Sequence, residues 1–172
     1  MGDHPDSISK VAPVKVAIVV GGESGEHEIS LRSGEEVLAH LDTTRWEPVV
    51  VRVELDGTWC FPAGLDPRGP GEALPIADGI RTLLAHEPAV VFPVMHGPYG
   101  EDGKFQALTE LLHLKCVGSG SEASALAMNK ARARDVFQCA GLSVAPAQEL
   151  RRSELCRIEA PCVVKPMHLG SS

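Results

Sequence analysis

Two hydrophobic periods alternate along this chain. Lys15 to Val20, "KVAIVV", is an unbroken β-branched run that ends at Gly21-Gly22, the pattern of a strand covered on both faces. From Ser24 the period changes: Ile29, Val37, Leu38 and Leu41 recur at helical spacing, and Gly34 shares their face, where the missing side chain lets a helix lie close on a sheet. Residues 47–55, "EPVVVRVEL", predict a second strand. The Gly- and Pro-rich residues 56–77 carry Trp59 and Phe61 and predict a small hairpin or lid. Residues 89–95, "AVVFPVM", predict another buried strand, and after the turn "HGPYGEDG" the spacing of Phe105, Leu108, Leu111 and Leu112 predicts an amphipathic helix. A short strand, "KCVG", comes next. Ser119 with Glu122 reads as a capping box opening one helix that runs to Gly141, with Leu126, Ala133, Phe137 and Ala140 inward. A last strand is predicted at 161–165, in "PCVVKP".

Strands alternating with helices predict an α/β fold with a doubly wound parallel sheet. Ligands are then expected beyond the carboxyl ends of the strands, where both glycine turns, 21–25 and 96–103, fall. No internal repeat or low-complexity tract interrupts this order.

Composition narrows the function classes. A length of 172 residues suits one large domain or two small ones. The formal charge of −7 argues against a general nucleic-acid or anionic-membrane binder, since both need a basic face, and Arg151-Arg152 is too short a cluster to supply one. Five cysteines, odd in number and without a CxxC pair, suit reduced thiols and a cytoplasmic location. The polar opening "MGDHPDSISK" has no apolar h-region, "VKVAIVV" is too short to span a bilayer, and Asp6 stands where a myristoylation signal would carry Ser or Thr. No export or membrane anchoring is expected.

The candidate chemistry sits in the turns. "GGESGEHEIS" sets Glu23, Glu26 and Glu28 around a helix start, where acids complement the helix dipole; alternatively, one of them faces the crevice and captures a substrate ammonium. Spacing alone does not choose. The turn is no dinucleotide fingerprint, because the G-x-G-x-x-G spacing is absent and a first-turn acid repels pyrophosphate, and the chain has no G-x-x-x-x-G-K-[ST] loop. His96, at a strand end among Gly97, Gly100 and Gly103, is either a structural hydrogen-bonder or a group that holds a carboxylate. His27 and His113 read as plain helical residues. No HExxH pattern or Cys/His spacing marks a metal site, and His168 stands alone. Taken singly, Lys130 reads as a solvated helix position and Lys165 as an edge position.

Together, "GGESGEHEISLRSG", "FPVMHGPYGEDGKFQALTELL", "VGSGSEASALAMNKARARDVFQCAGLSVAP" and "VVKPMHLGSS" resemble the D-alanine–D-alanine ligases of the ATP-grasp superfamily, from Lys15 to Ser172. Asn129 stands where that family usually has Asp, and Gly34 where it usually has Ala. The resemblance implies a ligase that joins two D-alanines through an acyl phosphate for peptidoglycan synthesis, with ATP and Mg (or Mn) as cofactors. It implies that Glu26 takes the ammonium of the first D-alanine and that His96 lies beside its carboxylate. Lys130 and Lys165 would hold ATP phosphates, and Ser171, with Ser172 beside it, would belong to the loop covering the nucleotide, Ser171 bonding to Glu26. It further implies a homodimer in the full-length form, with no nucleic-acid or membrane partner. The expected organisation is a flexible extension over 1–13, a substrate-binding domain over 14–118, and the truncated start of an ATP-grasp domain over 119–172. About half the family's length, including the magnesium-holding acids, is expected to lie outside these residues, so the 172 residues alone are expected to be inactive. A free-standing, non-catalytic substrate-binding or regulatory module and a D-alanine–D-lactate ligase are the alternatives.

Overall fold

The computed structural model describes residues 12–170. The apolar run at the start forms β1 (Val14–Gly21), which pairs in parallel with β2 (Trp46–Val53) on one side and β4 (Val90–Pro93) on the other. A two-residue strand, β3 (Trp59–Cys60), closes the β2 edge antiparallel, giving the order β3-β2-β1-β4.

Because successive strand residues face opposite ways, β1 feeds two cores. Val16, Ile18 and Val20 meet Leu31 and Leu38 of α1 (His27–His40) together with Val50 and Val94. Ala17 and Val19 meet Val51, Val53, Trp59 and Val91, Leu83 of α2 (Ile76–Ala85), and Phe105 of α3 (Lys104–Leu111). Helices therefore cover both faces, as a doubly wound sheet requires, and each fully covered Val or Ile contributes roughly 1.5–3 kcal/mol. Gly34 is the point of closest approach of α1 to the sheet: a Cβ there would collide with Val20 Cγ1.

Ile29 is 53% exposed, because it lies five residues before Gly34, about 140° around the helix; the inward residues are Leu31, Gly34 and Leu38, with Ser30. Leu111 also faces outward, and Thr109 and Gln106 fill the inner side of α3 beside Phe105. Residues 56–77 form a hairpin and not a lid: Trp59 is buried, bridges to Leu74, and stacks tilted on Phe105 at 6.5 Å. Helix α2, which the hydrophobic spacing did not predict, packs Gly79 directly against Trp59. The "KCVG" strand shrinks to one parallel bridge, Val91 to Cys116.

The single helix expected to run to Gly141 is two, α4 (Ser121–Met128) and α5 (Lys130–Cys139). The break falls at Asn129, whose extended backbone ends α4 while its side chain caps α5 by accepting the Arg132 N–H. The capping box at Ser119 does not form. Gly120 is the N-cap, and the Ser121 N–H and hydroxyl both donate to the Glu110 carboxylate of α3, which takes the cap's place. Leu126 and Phe137, expected inward, are exposed. Residues 142–170 contain no helix or strand, and Val164 is 86% exposed. The strand predicted at 161–165 is absent because no sheet edge lies beside it to accept its backbone groups.

Candidate functional site

Parallel pairing of β1 and β4 brings the ends of both strands to the same side of the sheet, so the two glycine turns meet. The Ser24 hydroxyl fastens them: it donates to the His96 carbonyl at 2.9 Å and accepts the Glu26 N–H at 3.1 Å. His27, read from the sequence as a plain helical residue, is buried with its Nδ1 2.9 Å from the Gly22 carbonyl, pinning the first turn to its own helix. The Ser30 hydroxyl bridges the same two strands deeper in, accepting the Gly21 N–H and donating to the Val94 carbonyl, 2.8 Å each. His113 lies just past the end of α3 with φ of 55°, outside the helix expected for it.

The geometry separates the three acids that spacing left equivalent. Glu28 is drawn to the surface by Arg68 at 2.8 Å, and that hydrogen bond holds its carboxyl below the usual range. Glu23 abuts Gly57 of the β2–β3 turn. Glu26 alone reaches the second turn, and although it is the N-cap residue of α1 its side chain makes no capping bond. A Cβ on Gly97 would come within 2.7 Å of Glu26 Oε2, and Gly97 has φ of 72°, so both space and backbone demand glycine there.

A second carboxylate, which sequence reasoning passed over, borders the same point. Glu101 Oε2 accepts the Gly97 N–H at 2.7 Å; a Cβ on Gly170 would lie 2.9 Å from Glu26 Oε2 and 3.0 Å from Glu101 Oε2. The only sequence signal for Glu101 was its place in "HGPYGEDG", four residues after Gly97. His96 is half-buried with Nε2 3.3 Å from Ser33 Oγ, and because that hydroxyl donates to the Ile29 carbonyl, the ring N–H is the donor of the pair. Behind the turn, Gln106 donates from Nε2 to the Gly100 carbonyl at 2.8 Å. Asp102 feels burial, which raises its pKa, but hydrogen bonds from the Lys104 ammonium and from backbone N–H groups hold its carboxyl below the usual range.

A cleft of about 750 Å³ opens beside these turns, with His96, Glu101 and Lys130 on its walls and Met95, Val117 and Met128 along its apolar side. Lys130 begins α5, its N–H bonding to the Met167 carbonyl and its ammonium to the Leu169 carbonyl, so residues 167–170 cross the cleft mouth. His96 and Lys130 thus line one cleft, and Glu26, which is not among its lining residues, stands against Gly97 and Gly170 at its edge. Lys165 is not among the cleft-lining residues, and Ser171 and Ser172 lie outside the described residues. Among the described residues, no three His, Cys, Asp or Glu side chains come together as a metal site, and no helix is long and apolar enough to cross a membrane.

Fold and site together define an α/β domain that presents a carboxylate and a histidine at the carboxyl ends of a parallel sheet. The chain belongs to the family described as D-ala D-ala ligase N-terminus, whose model matches residues 15–119. It is 37% identical to D-alanine--D-alanine ligase A of Bradyrhizobium diazoefficiens, over 92% of this chain and 52% of that protein. It is 35% identical to the D-alanine--D-alanine ligase of Mycobacterium ulcerans, over 92% of this chain and 51% of that protein. Among solved structures, the D-alanine-D-alanine ligase from Coxiella burnetii superposes with a TM-score of 0.68 at 25% identity, covering 84% of this chain and 46% of that one. The VanG D-Ala:D-Ser ligase from Enterococcus faecalis gives 0.61 at 26%, covering 77% and 43%. The chain spans about half the length of the curated relatives it matches.

Proposed function

We propose that this chain supplies the first-substrate site of an ATP-dependent ligase that forms D-alanyl-D-alanine through an acyl phosphate for peptidoglycan synthesis in the cytoplasm. The observation that carries the reading is the sorting of the three turn acids, since only Glu26 stands against the histidine turn. In this reading Glu26 accepts the ammonium of the first D-alanine in a charge-assisted hydrogen bond, and His96 lies beside that substrate's carboxylate. Lys130, on the cleft wall, gives up its bond to the Leu169 carbonyl and takes an ATP phosphate; Lys165 and the Ser171-Ser172 loop close over the nucleotide. Residues 14–118 act as the substrate-binding domain, 119–172 belong to the ATP-grasp part, and the full-length form is a homodimer.

Magnesium (or manganese) is the metal such a reaction uses, bridging phosphates. The described residues do not fit it, because their acids form no cluster with metal-ligand spacing, so no step here is routed through the ion. One structural neighbour, VanG, is a D-Ala:D-Ser ligase, so the second substrate is a separate question from the site at Glu26.

The test is a titration of the isotope-labelled chain with D-alanine, followed through the backbone amide signals of Glu26 and Gly97. Saturable shifts at both, lost in Glu26→Gln and weaker for L-alanine, are expected. Shifts that persist in Glu26→Gln would remove Glu26 from the role of ammonium acceptor.

A further inference from the structure

We propose that Ser24 is the positioning residue of this site: one hydroxyl that sets the separation between the ammonium-binding turn and the histidine turn. The inference rests on the reading of Glu26 and His96 given above, and assigns a role to a residue that acts through those two.

The hydroxyl bonds to both turns. Its proton goes to the His96 carbonyl at 2.9 Å, across 72 residues of sequence, and its oxygen accepts the Glu26 N–H within its own turn at 3.1 Å. These are the backbone groups of the two residues whose side chains face the substrate. Ser24 is half-buried, with its Cβ and Oγ 3.4 Å from the position a Gly97 Cβ would occupy, so the hydroxyl is wedged at the junction. Each turn also has its own internal anchor: His27 Nδ1 contacts the Gly22 carbonyl on one, and Glu101 and Gln106 hold Gly97 and Gly100 on the other. Of the side-chain bonds described for the two turns, only that from Ser24 to the His96 carbonyl joins one turn's residues to the other's, while Ser33 of α1 meets the His96 ring at 3.3 Å. The Ser30 bridge joins the strands beneath them, from Gly21 to Val94, and does not reach Glu26 or His96.

An α-amino acid carries its ammonium and carboxylate a fixed distance apart, so a site gripping both selects by the spacing of its two grips. Without the hydroxyl, each turn keeps its internal anchor while the separation between them loosens. A spacing-setting residue therefore affects the choice between D-alanine and β-alanine, whose charges lie one carbon further apart, and a merely stabilising residue does not.

The experiment compares wild-type chain, Ser24→Ala and Ser24→Thr by amide hydrogen exchange and by titration with D-alanine and with β-alanine. In Ser24→Ala, exchange at Glu26 is expected to speed up while Ile18 and Val91 in the sheet stay protected. D-alanine affinity is expected to fall about five- to tenfold, the effect of losing one hydrogen bond, with β-alanine affected less, and Ser24→Thr is expected to restore both. Equal loss for both ligands, or unchanged exchange at Glu26, would overturn the proposal. If wild-type chain binds neither amino acid, the substrate reading fails for this chain and the proposal fails with it.

Discussion

At the scale of single residues, the consequential feature is how differently three neighbouring glutamates are used. Glu23, Glu26 and Glu28 share a turn and a charge, yet only Glu26 meets Gly97. Replacing Glu26 with Gln is expected to weaken D-alanine binding by about 1.5–3 kcal/mol, the range for a hydrogen bond to a charged group, whereas Glu28→Gln should leave it unchanged; calorimetric titration separates the two. Gly34 offers a sharper packing test. An alanine there drives its methyl into Val20 Cγ1, so Gly34→Ala should destabilise the domain by about 1–3 kcal/mol. Combining it with Val20→Ala should recover part of that loss in a double-mutant cycle, read from denaturant midpoints. If the double variant is as unstable as the two losses added, the contact is not the reason for glycine. Gly34 was legible as a close-approach position because it sat on a helical face after a buried strand. Spacing did not separate Glu26 from Glu23 and Glu28; the family resemblance named it, and in the fold it is Glu26 that stands against Gly97, 71 residues away, a contact with no local signal.

At the scale of elements, the sequence pattern was most informative where one face was buried and least where tertiary contacts replaced local ones. The apolar runs of β1 and β4 identified the sheet because strands flanked by helices on both faces leave few positions for polar side chains. Helix α2 was missed because it sits inside a Gly- and Pro-rich stretch, and its glycine is used for packing on Trp59 and not for a turn. The start of α4 was misread for a related reason: its cap comes from Glu110 on α3, eleven residues upstream of Ser121. That cap makes a pH prediction. The Ser121 hydroxyl and N–H hold the Glu110 carboxyl below the usual glutamate range, so its contribution is fully present above the unfolded value, near the ordinary one, and is lost as pH falls through the lower folded value. The α3–α4 junction should therefore loosen in acid, seen as faster exchange at the Ser121 amide, and Glu110→Gln should show the loosened state already at neutral pH. An acid transition unaltered by that substitution would contradict the assignment. At the other break, Asn129→Ala should cost α5 about 1 kcal/mol while Asn129→Asp keeps the cap, as judged by thermal unfolding.

At the scale of the whole molecule, packing is uneven: the sheet and α1–α3 carry the buried residues, while α4 and α5 contain none and residues 142–170 have no regular structure. Amide exchange should follow that gradient, with residues 155–170 exchanging far faster than 89–95; equal protection would mean that the last segment is structured in a way its exposed valines do not suggest. The strand expected at 161–165 had the right composition, but a strand exists only with a partner, and composition carries no information about that. In the proposed reading the two glycine turns form one amino-acid site with Glu26 as its anion. In a crystal structure of the chain grown with saturating D-alanine, the ligand ammonium is expected within about 2.7–3.2 Å of the Glu26 carboxylate, with the ligand carboxylate on the His96 side. Well-ordered D-alanine bound at Glu23 or Glu28, or anywhere away from the Ser24 junction, would contradict it.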